Sequence, residues 1–103
     1  MEAKVATTSG QSHRRRVHFL VSGDVQGVGF RAFTLDRAKG LGLTGWVRNN
    51  WDGKVEGEAE GPPGSLAEFL VLIERGPISA HVDSIGIRDI PALGIDSGFR
   101  ITR

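Results

Sequence analysis

The chain has 103 residues, 13 of them Lys or Arg and 12 Asp or Glu, for a formal net charge of +1. That length suits one domain with one modest core, and the absence of cysteine excludes disulfides, thiolate–zinc sites and a cysteine nucleophile. No apolar run reaches the roughly 18 residues of a membrane span, and the N-terminus lacks the apolar stretch of a signal peptide, so a soluble, cytoplasmic protein is expected. The charge is uneven: residues 1–16 carry +3 and the rest −2. Arg14, Arg15 and Arg16 read as a solvated tail, because three arginines neutralise few phosphates. Any anion site in the folded part must therefore be local.

Residues 1–15 show no periodicity and are rich in small and hydroxyl side chains. They are expected to be a disordered leader, with the domain occupying 16–103. Val17-His18-Phe19-Leu20-Val21 reads as a first strand. A glycine-rich stretch, GDVQGVGFR (23–31), follows. Phe30 to about Leu41 reads as a helix with Phe30, Phe33, Ala38 and Leu41 near one face, stopped by Gly40 and Gly42. Leu43–Asn49 is a second strand. Trp51-Asp52-Gly53 is a hairpin turn signal. A third strand then alternates, with Val55, Gly57 and Ala59 on one face and Glu56, Glu58 and Glu60 on the other.

Gly61-Pro62-Pro63-Gly64 interrupts the chain. Ser65 and Glu68 have capping-box spacing, and Leu66, Phe69, Leu70 and Ile73 fall on one helical stripe. Gly76-Pro77 ends that helix. A fourth strand spans about 81–90 and carries Ile85 and Ile87, and a short final strand carries Phe99 and Ile101. The order is βαββαβ plus a terminal strand. One antiparallel sheet with both helices on one face satisfies it: a ferredoxin-like α+β sandwich. The glutamate row predicts that the other sheet face meets water.

The glycine-rich stretch carries the chemistry. Gly23, Gly27 and Gly29 permit a tight turn that gathers N–H groups, and Arg31 adds a fork suited to phosphate oxygens. Alone, such glycines are more often a plain turn, and no Gly-Lys-Ser/Thr of a nucleotide loop is present. Topology strengthens the reading. The first two strands are joined by a crossover helix and run parallel, with the third strand antiparallel between them. The loop and Asn49 should then meet on one rim, where the first helix also points its positive end. Asn49 shares the parity of Val47, on the helix-facing side. Its amide cannot act as a base but can hold a water. His13, His18 and His81 lack metal-ligand spacing; His13 reads as tail and the other two as strand surface.

GDVQGVGFR (23–31) and GWVRNNWDGKVEGEAEG (45–61) resemble the two signature stretches of the acylphosphatase family. The first matches Gly-x-Val-Gln-Gly-Val-x-Phe-Arg at every fixed position. The second matches Gly-Trp-Val-Arg-Asn, then Gly53, Val55 and Gly61. The resemblance covers about residues 17–103. It implies a hydrolase that cleaves acyl phosphates to carboxylate and inorganic phosphate, with no metal or organic cofactor. It carries phosphoryl binding onto Arg31 and water positioning onto Asn49, with the loop Val25, Gln26, Gly27, Val28, Gly29 and Phe30 holding the substrate. Asp24 stands at the variable second position, where relatives commonly carry a basic residue, and is expected to face solvent. The chain ends Phe99-Arg100-Ile101-Thr102-Arg103, where many relatives end in an aromatic.

Two other readings remain at this point. One is a non-catalytic module that binds phosphate or carbamoyl phosphate. Similar domains open large hydrogenase-maturation proteins, but the cysteine-rich zinc regions of those chains are missing, which favours a free-standing enzyme. The other is a single-stranded RNA-binding domain of the same topology, with Trp46 as a stacking platform on the face away from the helices. Three glutamates on the third strand argue against it, so no nucleic-acid partner is expected. A monomer is expected.

Overall fold

The structure is a computed structural model and describes residues 14–94 and 98–103. Its elements are β1 (Arg15–Asp24), α1 (Phe30–Gly40), β2 (Thr44–Asn49), β3 (Val55–Gly61), α2 (Pro63–Arg75), β4 (His81–Ile90) and β5 (Phe99–Ile101). The sheet order is β4-β1-β3-β2-β5. The first four strands pair antiparallel, and β5 adds parallel to β2. β1 and β2 both run antiparallel to the β3 between them, so they end on one rim, as the sequence predicts. No described helix is long and apolar enough to cross a membrane.

Alternation in β1 buries Val17, Phe19 and Val21 beneath the helices. Phe19 packs edge-on to Phe69 of α2, with centroids 5.7 Å apart, and Phe69 lies 6.1 Å from Phe99 of β5. Such aromatic pairs add to area burial. Gly57 faces this core from β3 because a Cβ there would strike the Phe19 ring and the Trp46 carbonyl. The 50–54 turn closes the β2–β3 hairpin: Asn50 N–H donates to the Lys54 carbonyl at 2.8 Å, and Gly53 takes a φ of +91°.

Four expectations are corrected. The buried row of α1 is Phe30, Thr34 and Ala38, at steps of four, and Phe33 is only half-buried. Thr34 is tolerated in the core because its hydroxyl donates to the Phe30 carbonyl at 2.9 Å. Ser65 does not cap α2. That helix starts at Pro63, with Pro62 as N-cap and no side-chain capping bond, since a proline in the first turn forgoes an N–H the helix cannot use.

The glutamate row does not face open water. Glu56 and Glu58 are half-buried and Glu60 is fully buried, because basic side chains from neighbouring strands cover them. Arg16 reaches both Glu58 at 2.8 Å and Glu60 at 3.1 Å, His18 meets Glu56 at 2.6 Å, and Arg48 meets Glu56 at 3.0 Å. Lastly, Arg15 opens β1 opposite Gly61, and Arg14 donates to Glu60 at 3.0 Å. Arg14 and Arg16 are therefore part of this ion-pair face, and Arg15, on the other face of β1, pairs with Asp89 at 2.6 Å. The rest of the expected leader, with His13, lies outside the described residues. Trp46 lies under the Arg48 guanidinium, 5.2 Å from it, within this ionic face.

Candidate active site

The loop between β1 and α1 is shaped by three positive-φ glycines. At Gly23 (φ +131°) β1 shifts register against β4, and a Cβ would fall on the His81 carbonyl oxygen. Gly27 (φ +75°) and Gly29 (φ +80°) are different, since a Cβ at either would meet nothing within 4 Å. They are required for the left-handed turn itself. Gly29 is the N-cap of α1 and supplies no side-chain cap, and Phe33 N–H donates to its carbonyl at 3.0 Å. The N–H groups of Phe30, Arg31 and Ala32 precede that bond and have no intrahelical acceptor. Among the described residues, no backbone carbonyl outside the helices and strands takes an N–H from this loop. The first turn of α1 holds no acidic side chain, so its positive dipole end is uncompensated.

These groups border a cavity of about 380 Å³ lined by Val25, Gly27, Gly29, Phe30, Arg31, Ala32, Asn49 and Ile101. Arg31 and Asn49, the two residues expected to carry catalysis, thus share one cavity. Among the described residues, Arg31 is the cavity's sole charged lining group. Asn49 Oδ1 is buried and has no hydrogen-bond partner. A buried acceptor left unpaired is costly, and the residue that carries it lines the cavity.

Two residues expected at the site stand apart from the lining. Gln26 turns its amide to the β2–β3 hairpin and donates to the Asn50 carbonyl at 2.7 Å and the Lys54 carbonyl at 2.9 Å. Val28 packs against the core, and its carbonyl accepts from the Ser79 hydroxyl at 2.7 Å. Both hold the loop in shape from outside. Asp24 is exposed, as expected. Ala32 and Ile101 were not anticipated. Ala32 belongs to the same helical turn as Arg31, whereas Ile101 reaches the cavity only through the parallel pairing of β5 with β2. No group of three or more His, Asp or Glu side chains among the described residues could hold a metal ion.

The family model for acylphosphatase matches residues 17–101. The chain belongs to the acylphosphatase family. It is 52% identical over 73 residues to an acylphosphatase of Moorella thermoacetica, covering 71% of this chain and 78% of that one. The crystal structure of acylphosphatase from Bacillus subtilis superposes with a TM-score of 0.83 at 36% identity, covering 86% and 99% of the two chains. An acylphosphatase from Coxiella burnetii gives a TM-score of 0.85 at 35% identity, covering 92% and 99%. Acylphosphatases are acylphosphate phosphohydrolases, and this chain is an enzyme of that kind. The cavity at the β1–α1 loop is the concave polar feature of this acylphosphatase domain where the loop, the helix N-terminus and β2 converge.

Proposed function

We propose that this cavity hydrolyses acyl phosphates, with Arg31 and the loop N–H groups holding the phosphoryl group and Asn49 holding the attacking water. The observation that carries this reading is the unpartnered Oδ1 of Asn49, in one cavity with Arg31. The loop from Val25 to Phe30 and the first turn of α1 offer fixed N–H donors to phosphoryl oxygens. Arg31 adds a permanent charge. These donors gain strength as the transition state spreads charge over the equatorial oxygens, and they need no reorganisation to do so.

Asn49 Oδ1 accepts a hydrogen bond from the water and fixes its approach to phosphorus. The water oxygen forms the new P–O bond, the bond from phosphorus to the acyl oxygen breaks, and the carboxylate leaves with that electron pair. A carboxylate is a good leaving group and requires no general acid. The lining side chains include no His, Asp or Glu, so the water's proton passes to a phosphoryl oxygen of the substrate.

The test is benzoyl phosphate hydrolysis in excess EDTA with the parent chain, Arg31→Ala and Asn49→Ala. Loss of one such oxyanion donor costs roughly 100- to 1,000-fold in turnover, and Arg31→Ala should lose at least that, together with inhibition by inorganic phosphate. Asn49→Ala should lose turnover by about 100-fold while phosphate still inhibits. Full turnover in Asn49→Ala, abolition by EDTA, or a neutral pH limb following a histidine would each overturn the scheme.

A further inference from the structure

Among the described residues, Ile101 is the sole contribution of β5 to the cavity lining. β5 is a three-residue edge strand, yet its position is fixed. Phe99 is buried against Phe69, Gly45 N–H donates to the Gly98 carbonyl at 3.0 Å, and Thr102 N–H donates to the Val47 carbonyl at 2.8 Å. Positions 99 and 101 share one face of a strand. Burying Phe99 beneath the helices therefore sets Ile101 on that same side, at the rim. Val47 is the register partner of Ile101, and Asn49 follows two residues on, on the same face. Ile101 and Asn49 are thus diagonal neighbours on adjacent strands, within side-chain reach.

A 40% exposed isoleucine at the mouth of an anion cavity adds nothing to anion affinity, because hydrocarbon offers no hydrogen bond. What it supplies is a wall. The Asn49 side chain is only half-buried, yet its Oδ1 is fully covered and unpartnered. Without cover on the β5 side, the carboxamide could turn to solvent and exchange its water with the bulk. We infer that Ile101 is a positioning residue that closes the β5 side of the Asn49 carboxamide, so that the amide turns to a water inside the cavity and not to the bulk. This rests on the water-holding role proposed for Asn49.

The test is a double-mutant cycle of Ile101→Ala and Asn49→Ala, assayed with benzoyl phosphate for kcat and KM and with inorganic phosphate for inhibition. Thermal unfolding checks that each variant folds. Ile101→Ala should lower kcat about tenfold, a part of the roughly 100-fold that full misplacement of a reactant costs, with KM and phosphate inhibition unchanged. Ile101→Val, which keeps an apolar wall, should restore most of the turnover. In the Asn49→Ala background, Ile101→Ala should cost little more, because residues acting as a unit are not additive.

Equal losses in both backgrounds would overturn the inference. So would a rise in KM for benzoyl phosphate at unchanged kcat, which would make Ile101 a contact for the acyl group. Should Ile101→Ala unfold, Ile101→Thr keeps the branched shape while making the wall polar, and unchanged kcat there would equally overturn it. Full turnover in Asn49→Ala alone is a separate result: it removes the role of Asn49, and the inference with it.

Discussion

Arg16 and Glu60 form a buried ion pair on the sheet face opposite the helices, Arg16 Nη1 donating to Glu60 Oε1 at 3.1 Å with the two side chains 4% and 0% exposed. Glu60 also accepts from Arg14 at 3.0 Å and from the N–H groups of Leu93 at 2.8 Å and Gly94 at 2.9 Å. Its carboxylate therefore pins Leu93 and Gly94, just beyond β4, to the sheet.

Removing that charge should be expensive. Glu60→Gln leaves the buried Arg16 guanidinium with only Glu58 and puts an amide N–H where acceptors are needed. Breaking one partner of a buried pair costs about 3–5 kcal/mol, and urea unfolding should show a loss of that order. Exposed Trp51→Ala should leave the urea midpoint unchanged.

Acid should unfold the protein through the same face. His18 is the chief influence holding the Glu56 pKa at about 2 instead of 4.5, aided by Arg48 and Asn50 against the effect of burial. For Glu60, burial opposes ionisation, but the Leu93 and Gly94 N–H groups with Arg14 and Arg16 more than offset it, again giving about 2. Between these values the unfolded chain binds more protons at these two carboxylates than the folded one, so the stability they contribute falls as pH drops from about 4.5 to about 2. Tm measured from pH 2 to 7 should show this slope, and it should flatten in Glu56→Gln.

The glycines of the cradle separate two kinds of constraint. Gly29→Ala meets open space and suffers only the left-handed φ of +80°, worth about 1–2 kcal/mol. It should fold while losing turnover as the turn relaxes. Gly23→Ala drives a Cβ into the His81 carbonyl and should fail to fold. Circular dichroism with the benzoyl phosphate assay distinguishes the two.

Gln26 gives a loop variant that spares the lining. Gln26→Ala deletes two bonds to the hairpin carbonyls, each of which keeps one backbone donor, at a cost of about 0.5–1.5 kcal/mol per bond. Gln26→Glu sets a carboxylate against the same two carbonyls and should be worse at neutral pH. Urea midpoints in the order parent, Ala, Glu would establish the amide as donor.

The strand order and the shared rim were legible because period-two alternation and the crossover leave few arrangements. That Arg31 and Asn49 share one cavity was legible because both lie at ends of well-marked elements. The acidic row was misread because alternation reports which face a side chain takes, and says nothing of what covers that face. The partners of Glu60 stand 44 and 46 residues earlier and 33 and 34 later in the chain. Thr34 was hidden because a hydroxyl satisfied within its own helix looks polar in sequence and behaves as apolar in the core. Gln26 fell inside the motif, but its side-chain direction depends on a hairpin 24 residues away. Ile101 required knowledge that β5 pairs with β2.

The cavity draws its wall from β5 and its cradle from the first loop, so its lining runs from Val25 to Ile101. No fragment shorter than residues 25–101 therefore contains the whole lining. On the role proposed for Ile101, detachment of the three-residue edge strand would lower turnover while the four antiparallel strands stayed folded. Hydrogen exchange at Thr102, whose N–H is held by Val47, would report that opening, and loss of activity on mild heating should follow the fraying of this edge ahead of global unfolding.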